Sequence, residues 1–147
     1  MTLTFPPNQD IRGEFEMWDS VGRPGCEDHP SYTRDRATVI GDLVILQAAG
    51  ATTGFVGIAE TEGAINTDGN CNIAEGINLH ADADVIEAGS TFLVKFAEVW
   101  WNNTTRRVSM TRTAGYYLIG HVDEVQDGTN SFFSFLKKRF WELEPTT

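Results

Sequence analysis

Only two of the 147 residues are cysteine, Cys26 and Cys71, far apart and in no CxxC spacing. So sparse a set excludes a disulfide framework and a cysteine-built zinc site, and two free thiols are expected. Proline is also scarce, and four of the five prolines fall before residue 37. No apolar run reaches the roughly 18 residues that span a bilayer, so no membrane partner is expected. Residues 1–11 lack the basic start and long apolar centre of a signal peptide, and the expectation is a chain made and used without export. Positive charge is short as well: 11 Lys and Arg stand against 21 Asp and Glu, a net charge of −10. Duplex binding rests mainly on phosphate neutralisation, so direct contact with nucleic acid is not expected. Finally, the chain has no GxSxG, P-loop, GxGxxG after a strand, or HExxH. No residue set specifies a reaction, and neither an enzyme nor a cofactor is expected.

What is present reads as one soluble domain, with 41 % apolar and 22 % charged residues. The charge is uneven. Residues 1–89 hold four basic and fifteen acidic side chains, residues 90–147 seven and six. The first 36 residues show neither strand nor helix periodicity but carry Pro6, Pro7, Pro24 and Pro30 among the aromatics Phe5, Phe15, Trp18 and Tyr32. Proline fixes φ and removes a donor, which predicts an extended arm over 1–36 followed by a domain over 37–147. Aromatics in such an arm imply that it lies on something apolar, its own domain or a neighbour.

From Ala37 onward, β-branched runs alternate with Gly, Asn and Asp: Val39 to Leu46, Phe55 to Glu62, Ile73 to His80 and Tyr116 to Val125. The block from Phe92 to Val125 looks central. Its alternation predicts a strand from Phe92 to Trp101 with both faces covered, a turn at Asn102-Asn103, and a return strand through Thr104 to Met110. Asn66-Thr-Asp-Gly-Asn is the strongest turn signal, and Asp127-Gly-Thr-Asn is another. The segment from Phe132 to Leu143 fits two periods. Phe132, Leu136, Phe140 and Leu143 would share a helical face, whereas Phe133, Phe135 and Lys137 alternate as strand, and strand is the reading taken for its first half. The fold class is therefore all-β, a compact sandwich or barrel of about seven to eight short strands with an irregular N-terminal arm.

Three clusters carry possible chemistry. His80, Asp82 and Asp84 would share one face of an extended segment and could hold a divalent cation, although solvated acids on an edge explain them as well. Cys26, Asp28 and His29 lie close in sequence but in a loop-like arm. Trp100, Trp101, Tyr116 and Tyr117 would serve as stacking platforms in a carbohydrate-binding module.

The order of the strands carries a further signal. Gly41-Asp42-Leu43-Val44, then Phe55-Val56-Gly57-Ile58-Ala59, then Val99-Trp100-Trp101-Asn102 with the Thr-rich return to Val108, and last Leu118-Ile119-Gly120-His121-Val122 together resemble small capsid decoration (cement) proteins of tailed bacteriophages. The resemblance covers about residues 38–135; the arm and the tail from Lys137 lie outside it. It implies a non-enzymatic β domain on the outer capsid surface of a virion. Its partners would be the major capsid protein and further copies of itself, the shell being met as a homotrimer. Phe5, Phe15, Trp18 and Tyr32 are the first candidates for the capsid or subunit interface, with Arg106, Arg107, Lys137, Lys138 and Arg139 second. A carbohydrate-binding module on a virion surface is the alternative.

Overall fold

The computed structural model describes residues 16–18, by backbone alone, with residues 28–127 and 131–145. Phe5, Phe15, Cys26, three of the arm prolines and the Gly128 to Asn130 turn lie outside the described residues. Ten strands follow in chain order: β1 (Glu16–Trp18), β2 (Ser31–Thr33), β3 (Leu43–Leu46), β4 (Thr53–Ala59), β5 (Asp68–Asn72), β6 (Asn78–Ala81), β7 (Glu98–Asn102), β8 (Arg107–Ser109), β9 (Tyr117–Glu124) and β10 (Phe133–Leu143). The fold is all-β, and every strand pairs antiparallel with its neighbours. Two of the ten, β1 and β2, fall in the stretch whose prolines point to an irregular arm.

The organising strand is β10, and the Phe92 to Val125 block packs around it. Its first half pairs with β6 on one edge and β9 on the other, and its second half pairs with β4 and again with β9. The register against β9 shifts between Lys137 and Glu142, which bends the strand so that its two ends serve different parts of one curved sheet. Alternation decides which side chains it buries. Phe133, Phe135, Lys137 and, past the shift, Trp141 point inward, while Leu136, Phe140 and Leu143, the residues that would have shared a helical face, stay exposed. The segment is strand throughout.

From β6 the ladder runs through β10, β9 and β7 to β8. There Val108 bridges Ile86, three residues beyond the start of the 3-10 turn at Ala83, and the Glu87 amide donates to the Val108 carbonyl at 2.7 Å. Because Ile86 follows β6 almost directly, the sheet curls back towards its own first strand. Inside lie Val56, Ile58, Leu79, Val99, Trp101, Ile119, Val122 and the β10 residues Phe133, Phe135 and Trp141, with Phe92 stacked on Phe133 at a centroid distance of 3.9 Å. A second, smaller cluster of Val44, Ala59, Cys71 and Ile73 lies under β2.

The family-like motifs have local physical causes. Gly41 takes φ 94° in a tight turn whose Asp42 accepts from the Val39 amide at 2.9 Å. At Gly57 an added Cβ would stand 2.9 Å from Cys71 Sγ and 3.0 Å from Val44 Cγ2. At Gly120 it would press on the Leu136 carbonyl and lie 2.8 Å from the Phe135 ring. Gly120→Ala is therefore expected to cost about 1–3 kcal/mol by overpacking. A melting curve that does not move would refute that close approach.

Two sequence expectations need correction. The strand expected from Phe92 begins only at Glu98. Residues 92–97 instead form a turn held beside β9, in which Phe96 has φ 68°, its amide donates to the Val122 carbonyl at 2.8 Å, and the Gln126 amide donates to the Phe92 carbonyl at 2.9 Å. Only Phe92 is buried there, so both faces are not covered. Asp68-Gly69 is likewise no turn but the start of β5; the chain reverses just before it, where Asn66 has φ 67°. The Asn102 hairpin does form, with the Asn102 side-chain oxygen accepting from the amides of Thr104 and Thr105 at 3.0 and 3.2 Å.

Candidate interaction surfaces

The first surface is the turn at 93–96. Leu93, Val94 and Phe96 are 61 %, 66 % and 65 % exposed, and Val125, beside them across the Gln126–Phe92 hydrogen bond, is also exposed. Lys95 extends over the Phe96 ring, 5.2 Å from its centroid. Three large apolar groups on one turn are not scattered surface residues, and burying them in a partner is favourable. Sequence reading missed this tip because apolar alternation looks the same whether a segment enters the sheet or leaves it. The left-handed backbone at Phe96 has no clear residue signal.

A second surface is a groove of about 1090 Å³ between β2, the start of the Gln47 to Ala51 loop and β3. Val44, Ile45 and Leu46 all line it, which consecutive strand residues do only when a strand is seen from its edge. Among the described strands β3 pairs with β4 alone, so that edge is open. Tyr32, Phe55 and Ile73 supply further apolar wall, and Asp35 and Arg139 are its charged residues. Arg139 donates to Asp28 at 2.7 Å and lies over the rings of Phe55 and Phe140. Asp35 is mainly exposed and sits 3.5 Å from the Arg36 guanidinium.

The interface candidates named from sequence are dispersed. Trp18 is the last residue of β1, which adds to the β6 edge opposite Asn78. Tyr32 is half-buried on the small cluster. Arg107 is exposed on β8, and Lys138 pairs with Glu142 at 3.0 Å on the surface. Arg106 instead pairs with the buried Asp42 at 3.0 Å, clasping the β7–β8 turn to the start of β3. Lys137 is 1 % exposed; its ammonium donates to the carbonyls of Val56 at 2.6 Å and Lys138 at 2.9 Å. Burial pushes its pKa down to about 7.

The possible chemical clusters separate on folding. His80 Nε2 meets Asp82 at 2.9 Å, but Asp84 lies in the 3-10 turn, which breaks the alternation that would put all three on one face. Among the described residues no three His, Cys, Asp or Glu converge as metal ligands. His29 turns to Glu60 at 2.8 Å while Asp28 turns to Arg139, so that pair does not form one site. Cys71 is buried beside Gly57, and burial pushes its thiol up to about 12. Trp100 and Trp101 are both in the core, which overturns their use as exposed sugar platforms. Among the described residues no helix is long and apolar enough to cross a membrane.

Together these features define a β-built scaffold that offers contact surfaces. The model of the phage cement protein family matches residues 27–135, and the chain belongs to that family. Its place is accordingly the phage capsid. No curated protein and no solved structure matches the chain.

Proposed function

We propose that the protein is a capsid cement that binds the outer surface of the shell as a homotrimer, fastens adjacent major-capsid subunits and stabilises the shell against the pressure of packaged DNA. The family match over 27–135 is the observation that carries this reading. The exposed apolar tip and open groove supply the means, and the net charge of −10 favours protein contacts over direct contact with DNA. The protein acts by burial and does no bond-making chemistry. At about 25 cal/mol per Å², a few hundred Å² of apolar contact per copy gives several kcal/mol before ordering costs, and repetition over the lattice multiplies it.

Residues 1–36 are proposed to work as an arm that meets neighbours through its leading part, while its end, Ser31–Thr33 and Arg34, is laced to the body at 37–147. Phe5, Phe15, Trp18 and Tyr32 are its anchors, and Arg107 and Lys138 are the cations best placed to meet acidic capsid surface. The test is to add purified protein to shells of its phage that lack it. Stoichiometric binding in register with the lattice and a higher temperature of DNA release are expected. Shells that neither bind it nor gain stability would overturn the proposal.

A further inference from the structure

The tip and the groove are complementary. The tip is convex, apolar and ends in one cation; the groove is concave, apolar along Val44, Leu46 and Phe55, and bears the exposed Asp35 at one side. None of the tip residues lines the groove, so one copy can offer its tip and receive another's at the same time.

Resting on the trimeric cement reading above, we propose that copies assemble head to tail, with Leu93, Val94 and Phe96 of one copy seated in the groove beside β3 of the next and Lys95 reaching its Asp35. A second copy is favoured as the occupant for three reasons. Knob and hole both belong to this chain, and Lys95 is opposite in sign to Asp35, the groove's other charge, Arg139, being already held by Asp28. A tip of three side chains presents roughly 300 Å² to any one partner, well below the roughly 800 Å² per side of a stable pair, so a lone tip contact needs a second contact made by the same copy. If the same tips met on a symmetry axis, they would bury too little and bring the Lys95 ammonium groups together. In a head-to-tail ring every copy uses two separate patches, and the contact closes without leaving an unpaired end. The edge of β3 would then be covered, which removes an open strand edge that otherwise invites aggregation.

The test uses the full chain in a Cys26→Ser background, so that the buried Cys71 is the only native thiol. Copies carrying Val94→Cys are mixed with copies carrying Ala48→Cys and treated with a short bis-maleimide. A covalent dimer is expected from the mixture and none from either variant alone. In parallel, Val94→Asp is expected to lower the native mass from a multiple of 16.3 kDa to the single-chain value, with an unchanged circular dichroism spectrum. Leu93→Ser is expected to weaken assembly in the same direction. The inference is overturned if the mixture gives no dimer either free or bound to shells, if the unsubstituted chain is a monomer in both settings, or if Val94→Asp keeps its assembled mass. In that last case, loss of shell binding would show that the tip grips the capsid, and the cement reading would stand without this mode of assembly. An assembled ring that cross-links as expected but ignores shells would support the inference and overturn the cement reading.

Discussion

Arg34→Ala is expected to lower the melting temperature by about 10 °C, the equivalent of about 3 kcal/mol for a domain of this size. Arg34 is 3 % exposed, yet no carboxylate answers it in the described structure's hydrogen bonds. Its guanidinium instead donates to the hydroxyls of Thr38 at 2.8 Å, Thr67 at 2.7 Å and Thr61 at 2.9 Å, and to the Asp68 carbonyl at 2.7 Å. Those partners come from three separate segments, so one side chain joins the stretch between β2 and β3, the loop after β4 and the start of β5. Gly63 and Gly69 make room for it; a Cβ on Gly69 would stand 2.6 Å from the guanidinium. Truncation removes the whole set of bonds, leaves the buried Thr38 hydroxyl without its donor and unties the segments that Arg34 joins. Arg34→Lys is expected to recover little, because an ammonium cannot present the planar fork that four acceptors require. Thermal melts followed by circular dichroism are the measurement, and an Arg34→Ala protein melting within about 2 °C of the parent would refute the hub. The same geometry sets the outcome of a truncation: removal of residues 1–36 takes Arg34 and β2 with it and is expected to unfold the remainder.

Raising the pH from 7 to 9 is expected to stabilise the fold by about 2–3 kcal/mol through Lys137. In the folded chain this amine is pushed down to about 7, mainly by burial; the groups that act on it are Cys71, Arg139, Glu75 and Asp28. In the unfolded chain it titrates near its ordinary value of 10.5. Between these values the unfolded state holds a proton that the folded state has released, so stability rises with pH across the window. Below about pH 7 both states carry the proton and the full cost of a buried charge is present. Above about pH 9 the Cys71 thiol opposes the trend: it ionises in the unfolded chain but is pushed up to about 12 in the fold. Denaturant titrations at pH 7, 8 and 9 read the slope. Lys137→Met should flatten it by removing the titrating group, and a variant that retains the parent slope would show that some other residue is responsible.

The sequence and the structure diverge at places that share a cause. Lys137 was legible as an inward residue, since it continues the Phe133 and Phe135 alternation, but its charge argued for the surface and won. Burial is tolerated because two backbone carbonyls lie where its stem ends. Arg34 had no comparable signal, for its partners are threonines scattered between residues 38 and 67 and become neighbours only after folding. Asp68-Gly69 carried the residue types of a turn, yet Gly69 is there to admit the guanidinium. The all-β class, the Asn102 hairpin and the order of the motif strands were readable because each rests on local alternation or a single side chain's hydrogen bonds. The 93–96 tip was not, because leaving the sheet depends on one left-handed residue, and the groove was not, because it exists only between strands.

The bent β10 strand is laced along both margins, to β6 and β4 on one side and to β9 on the other. A tug on any of those three must therefore be resisted by the others through a common beam. If the molecule is riveted to its container as proposed above, a sideways load would spread through the body and not unzip it from a corner.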